Sequence, residues 1–369
     1  MIFKLLKYFV IYYNMSNLKG LKKCGLVNLG NTCYLNTTLQ CLTNCDDLTE
    51  YFTSELFLED LSRNKNQSLV TFEYGKLVKE LVNNDECSLK PTPFVSTFTK
   101  YNMTSDACVK FMFGRQHDMH EFLVYLMDIL HTSLEEVVEV KINGTPKNDY
   151  DVLKLASVKS WASFIEKQYS KMIELFFGQY IVETYNNDTG DFISRKFDAF
   201  NNITLELLDV SSKFVSKSLY DSLKYHSKEE ILDEDNKYYD EGKKEYVNAK
   251  RIASFWKLPN YLIINLKRFK NNSRKIDTVI DFPIDNLDMG RFCPKNPREK
   301  TKYKLISIGN HVGSSSRGGH YYAVNRCNDD KWVVHNDTSV NELEYTDMEN
   351  LKKKIVTKNV YLLIYVRKK

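Results

Sequence analysis

Apolar residues Met119, Phe122, Leu123, Leu126, Ile129, Leu130 and Leu134 recur at three- and four-residue intervals through FGRQHDMHEFLVYLMDILHTSLEEV. That period predicts a long amphipathic helix. Nearer the N-terminus an extended stretch, residues 25–29, runs through a Gly30-Asn31-Thr32 turn into Tyr34, Leu35, Leu39 and Leu42, again at helical spacing. Between these two segments DDLTEYF, TFEYGKLVKELV and, after the Pro91-Pro93 break, PFVSTFTKY predict further helices. Residues 142–151 read as a polar linker, and the spacing predicts another helix over 152–175.

Beyond that point the pattern changes. FGQYIVETY, KFDAFNNITLEL, NYLIINLKRF, YKLISIG, GGHYYAVNR, KWVVHN and NVYLLIYVRKK are short, rich in β-branched and aromatic residues, and separated by polar turns. They predict strands of an antiparallel sheet. A helical half followed by a sheet half makes an α+β protein.

Composition narrows the function more than the fold. The 52 basic and 48 acidic residues are interspersed, so the net charge of +4 gives no argument for nucleic-acid binding. Eight cysteines occur without a single CxxC pair, which points away from a disulfide framework and toward a reducing intracellular compartment. The opening MIFKLLKYFVIYY is apolar, but Lys4 and Lys7 interrupt it and it falls short of the roughly 20 residues that span a bilayer. It reads as an N-terminal extension over residues 1–23 rather than a membrane contact, and Met15 offers a second start.

Chemistry enters with Cys33, which the pattern places in the first turn of a helix, where unpaired N–H groups and the helix dipole favour a thiolate. Far downstream, His320 opens a strand after Gly318 and Gly319, and Asn336 and Asp337 end the next strand. A hairpin turning at residues 327–330 brings this His and this Asn together. A thiol nucleophile needs an imidazole to take and return its proton, and a third polar side chain to fix the imidazole.

These segments together resemble the ubiquitin-specific proteases, the papain-like deubiquitinating enzymes. GLVNLGNTCYLNTTLQCL is similar to the family's cysteine box, QHDMHEFL to its QxDxHEF element, and FGQY, LPNYLIINLKRF, HVGSSSRGGHYYAV and WVVHNDTSV to the remaining boxes in order. The resemblance runs from about Cys24 to Val366. It implies a papain-like α+β fold with a helical thumb (about 24–172), then fingers and an antiparallel palm (about 173–369). It also implies hydrolysis of the amide or isopeptide bond after ubiquitin's terminal glycine, through a thioester. Cys33 becomes the nucleophile and His320 the general base and acid. Asn336 orients His320, with Asp337 a second candidate, and Asn28 donates to the oxyanion.

The resemblance further assigns ubiquitin's arginine- and glycine-bearing tail to Gln116, Asp118, Glu121, His311, Gly318, Gly319 and Tyr321. Asp118 and Glu121, three apart, fall on one helix face and are placed for the arginines. Gly318 and Gly319 give the backbone room for the tail. Residues 311–317 resemble the mobile loop that covers it. No cofactor is implied: the two CxxC pairs that hold zinc in the fingers of many members are missing, and YYDEGKKEYVNAKR stands where the second is expected. The expected partners are ubiquitin and ubiquitinated proteins, in the cytoplasm or nucleus. Two other readings use the same residues: the same chemistry on another ubiquitin-like modifier, or a ubiquitin-binding module with impaired catalysis.

Overall fold

The computed structural model describes residues 3–5, 24–84, 88–105, 111–207, 214–269, 275–315, 318–327 and 329–369. Its centre is an eight-stranded sheet. From one edge the order is Ser339–Glu342, Trp332–Asn336, Gly318–Arg326, Lys302–Ser315, Val360–Arg367, Tyr261–Lys267 and Ile203–Glu206, with the short Leu287–Asp288 beside Lys302–Ser315. The pairing is antiparallel except at the last edge, where Ile203–Glu206 runs parallel to Tyr261–Lys267. The wholly antiparallel sheet expected from the sequence is corrected there: the chain leaves Ile203–Glu206 by a long excursion, residues 207–260, and returns in the same direction.

Alternation along the central strands puts one set of side chains on each face. Ile263, Ala323, Leu362 and Ile364 face the helices and share a core with Leu35, Leu39, Leu42, Phe122, Leu126 and Leu130. Leu262, Ile264, Leu266, Leu363 and Tyr365 face the other way, into a core closed by Leu219, Leu223, Leu351 and Ile355. The period-3.6 stripes of the Cys33–Leu42 and Met119–Leu134 helices and the period-2 alternation of the strands thus meet in one apolar layer.

The single helix expected over 152–175 is two. Asp149–Ile165 starts under an Asn148 side chain that accepts from the Asp151 N–H, and Lys171–Phe176 starts under Ser170, which accepts from Ile173. Between them Tyr169 bridges Glu136, which takes the backbone out of the helix. Of residues 1–23 only Phe3–Leu5 is described, paired with Val140–Ile142; the rest of the apolar run and Met15 lie outside the described residues. Among the described residues no helix is long and apolar enough to cross a membrane.

A second sheet, ordered Phe192–Phe200, Gly178–Asn186, Ala249–Lys257 and Glu230–Leu232, projects from the first. Tips in this region are closed by side chains that mimic turns. The Asn186 side-chain oxygen accepts from the Asp188 and Thr189 N–H groups at 2.9 and 3.0 Å, and in a separate two-stranded hairpin, Tyr238–Asp240 with Glu245–Val247, the Asp240 carboxylate accepts from Gly242 and Lys243 at 2.9 and 3.3 Å. Asn248 donates to Asp188 at 3.2 Å, tying two of the tips together.

Candidate active site

Cys33 begins the Cys33–Leu42 helix immediately after a tight turn. Gly30 (φ 105°) and Asn31 (φ 57°) occupy the left-handed region, where Gly and Asn carry the smallest penalty. The Asn28 side-chain oxygen accepts from the Gly30 and Thr32 N–H groups at 3.0 and 3.1 Å, which fixes the turn. Asn31 donates to the Gly114 carbonyl at 2.8 Å and so ties the turn to the loop ahead of the second long helix.

Burial works against the thiolate expected at this helix start. Cys33 is only 3% exposed, and burial pushes its thiol above the ordinary value. The negative charge of Asp337 pushes the same way, and backbone contacts with Tyr321 and Tyr34 oppose both without prevailing. The helix start offers its dipole, but the site is too dry for the dipole to decide. The contact with Tyr321 also locates the sulfur: it lies at the backbone of the residue that follows His320.

His320 and Asn336 come together as the hairpin argument requires. Strands Gly318–Arg326 and Trp332–Asn336 pair antiparallel with Ala323 opposite His335, and His320 Nε2 lies 2.6 Å from Asn336 Oδ1. A carbonyl oxygen accepts, so Nε2 carries the proton and Nδ1 is left as the basic nitrogen. Asp337 sits 4.0 Å from the same Nε2 and is committed elsewhere. Its Oδ2 accepts from Asn28 at 2.9 Å and its Oδ1 from Asn36 at 2.8 Å, while its carbonyl accepts from the Leu26 N–H at 2.9 Å. Asn28 therefore spends one amide hydrogen on Asp337 and keeps a second. A Cβ on Gly25 would stand 2.7 Å from the Asp337 carbonyl oxygen, so this residue is glycine because the two chain segments touch. Asn36 was not among the residues singled out from the sequence; it lies one turn beyond Cys33, and no periodicity marks a buried polar residue on a helix otherwise read for its apolar ones.

Beside these residues runs a cleft of about 840 Å³ lined by Asn31, Arg115, Gln116, His117, Asp118, Glu121, Phe269 and Gly318. Gln116, Asp118, Glu121 and Gly318 thus share one wall or another of it. Asp118 is not on the helix face with Glu121. It is extended (ψ 129°) and caps Met119–Leu134, its Oδ1 accepting from the His120 and Glu121 N–H groups, while its Oδ2 accepts from the Tyr361 hydroxyl. Both oxygens are engaged, which leaves Glu121 as the exposed carboxylate of the pair. Although the residue is exposed as a whole, partial loss of hydration at the cleft wall, and after it the Asp118 charge, raise the Glu121 pKa.

His311 lies under the cleft rather than in it. It is 1% exposed, inside the strand Lys302–Ser315, with its ring 4.6 Å from that of Tyr321 and 5.2 Å from that of Phe269. Desolvation and the nearby Lys275 and His320 hold its pKa down to about 4, so it is neutral. Residues 311–315 of the expected covering loop are thus strand, and 316–317 lie outside the described residues. Tyr321 is buried against His311 and Tyr361. Gly318 is open to the cleft, whereas a Cβ on Gly319 would run into the His311 ring. The room at Gly319 serves a neighbouring side chain.

The profile of the family described as ubiquitin carboxyl-terminal hydrolase matches residues 24–365. Human ubiquitin carboxyl-terminal hydrolase 2 is 29% identical over 362 residues, 95% of this chain and 56% of that protein. Ubiquitin carboxyl-terminal hydrolase 25 of Arabidopsis thaliana is 30% identical over 357 residues, 93% of this chain and 47% of that protein. The chain therefore spans about half the length of these relatives. Among solved structures, the SAGA Ubp8/Sgf11/Sus1/Sgf73 DUB module bound to ubiquitin aldehyde superposes with a TM-score of 0.69 at 23% identity, covering 96% of this chain and 71% of that one. A yeast SAGA DUB module with an altered Sgf73 gives 0.68 at 23%, covering 100% and 71%. At that identity the likeness is one of fold, and it agrees with the helix-and-sheet architecture described above. With its profile spanning nearly every residue from Cys24 to Tyr365, the chain belongs to the ubiquitin carboxyl-terminal hydrolase family.

Proposed function

We propose that the protein is a cysteine deubiquitinase that cuts the peptide or isopeptide bond after ubiquitin's C-terminal glycine. The observation that carries the reading is the 2.6 Å hydrogen bond from His320 Nε2 to Asn336, with the Cys33 thiol at the backbone of the next residue, Tyr321. In this reading 24–172 serves as thumb and 173–369 as fingers and palm, working on ubiquitinated proteins inside the cell.

Burial favours the Cys33 thiol, so in this reading His320 Nδ1 takes its proton as the sulfur attacks. The sulfur adds to the carbonyl carbon of the terminal glycine. The oxyanion is met by the free N–H of Asn28 and by the backbone N–H groups at the helix start, donors whose removal typically costs about 2.7 to 4 kcal/mol in the transition state. His320 returns its proton to the leaving amine as the C–N bond breaks, and a thioester remains. Water then attacks with His320 again as base, the C–S bond breaks, and ubiquitin leaves as its carboxylate. Glu121 pairs with an arginine of the tail, and Gly318 admits the tail's glycines.

The test is cleavage of ubiquitin-rhodamine and di-ubiquitin with a Cys33→Ala control. Turnover by the wild type and none by the control is expected. No turnover by either sinks the reading. Covalent probes carrying ubiquitin or another modifier decide which tail is preferred, and ubiquitin binding without thioester formation favours the impaired binding module.

A further inference from the structure

Gln116 was expected to touch substrate, but its side chain is turned to the protein. Its Nε2 donates to the Gly319 carbonyl at 2.8 Å, from the loop before the Met119–Leu134 helix to the hairpin that carries His320. Gly319 is gripped on its other side as well. The buried His311 ring lies where a Cβ would stand, and a Cβ on Gly313 would meet the Gly318 carbonyl at 2.7 Å and Gly319 Cα at 2.8 Å. The pairing register shifts between Val312 and Ser315, so the two strands at this point are not held by a regular ladder. Two residues beyond Gln116, Asp118 caps the helix and is joined by Tyr361 of the central strand. The loop that carries Gln116 is therefore anchored independently of the hairpin it reaches.

We propose that Gln116 is a positioning residue for His320. Its amide fixes the peptide immediately before the histidine, where the strand pairing is irregular, and references it to the capped helix. Gly319 has left-handed backbone torsion (φ 149°) and no side chain of its own, so the rotation of this peptide is set by its neighbours, with the His311 ring packed on one side and the Gln116 amide donating to its carbonyl on the other. The hairpin ties His320 to Asn336, and Asp337 ties the Asn336 end to Asn28 and Asn36 on either side of Cys33; the Gln116 hydrogen bond adds a tie at the His320 end, from the loop before the Met119–Leu134 helix. The inference rests on the deubiquitinase reading only for its kinetic readout.

The variants are Gln116→Met, which keeps the length and removes the donor, and Gln116→Asn, which keeps the donor and cannot reach. On ubiquitin-rhodamine both should lose about tenfold to a hundredfold in kcat, the effect of misplacing a catalytic group by an ångström or less, with KM within about threefold of wild type. Affinity for free ubiquitin, measured in a Cys33→Ala background, should change by less than about threefold. Glu121→Ala should do the reverse and raise KM. Histidine-ring NMR without substrate gives a second reading: the His320 signal, assigned by its loss in His320→Ala, should shift or broaden in Gln116→Met and stay in place in Glu121→Ala. A raised KM with unchanged kcat, or an unmoved His320 signal, overturns the proposal. Wild-type protein that cuts no ubiquitin substrate refutes the deubiquitinase reading instead, and the NMR comparison then still decides the clamp.

Discussion

Asp337 gives one carboxylate oxygen to Asn28 and the other to Asn36, and its charge also bears on the Cys33 sulfur. Its removal therefore has two effects of opposite sense. Asp337→Asn takes away a negative charge that raises the thiol pKa, so the pH midpoint of Cys33 alkylation by iodoacetamide should fall. The same change sets an amide group against the amides of Asn28 and Asn36, so kcat should drop although the thiol ionises more readily. Asp337→Ala leaves two amide donors without their acceptor and should lower stability by about 1–3 kcal/mol, read by chemical denaturation. Glu121 yields a prediction in pH. Its pKa is raised, chiefly by burial, so on acidification it loses its charge before a free glutamate does. KM for a basic-tailed substrate should accordingly climb as pH falls, starting above the ordinary glutamate range. Glu121→Gln should show a high KM already at neutral pH and a flatter climb.

Met119 and Gly309 show how two elements fit. A Cβ on Gly309 would lie 2.7 Å from the Met119 thioether, so the helix start is seated against the strand Lys302–Ser315 by one large and one absent side chain. Gly309→Ala should destabilise by about 1–3 kcal/mol through overpacking. In a Met119→Ala background the same change should cost much less, a coupling that a double-mutant cycle in urea measures. This pair also shows where sequence reading stops. The stripe from Met119 to Leu134 was legible because a helix repeats its contacts every turn, and the strand alternation was legible for the same reason. The space for Met119 was not, because its partner lies on a distant strand and a glycine carries no pattern. Asp118 was misread as a face residue because periodicity says which side of a helix is buried and not which residue begins it; its roles as cap and as acceptor for Tyr361 needed coordinates. The pairing of His320 with Asn336 was legible because a hairpin fixes which residues of adjacent strands meet, whereas the burial of Cys33 follows from packing that no motif encodes.

At the scale of the whole molecule, the turns of the second sheet and of the hairpin beside it are held by side-chain hydrogen bonds at Asn186, Asp240 and the Asn248–Asp188 link. Incubation with 1,10-phenanthroline should leave Tm and turnover unchanged, while Asn248→Ala should lower Tm by the equivalent of about 1 kcal/mol. A metal-dependent fold would lose both on chelation. The central sheet has a consequence of another kind. Val360–Arg367 lies between Lys302–Ser315 and Tyr261–Lys267, strands that precede it in the chain, and its Tyr361 holds the Asp118 cap. On a ribosome, which makes the chain from the N-terminus, the N-terminal helices emerge with Cys33 long before the strand that completes the sheet. The nascent protein thus carries Cys33 before the candidate site is assembled, and that site closes only as this strand slots into the middle.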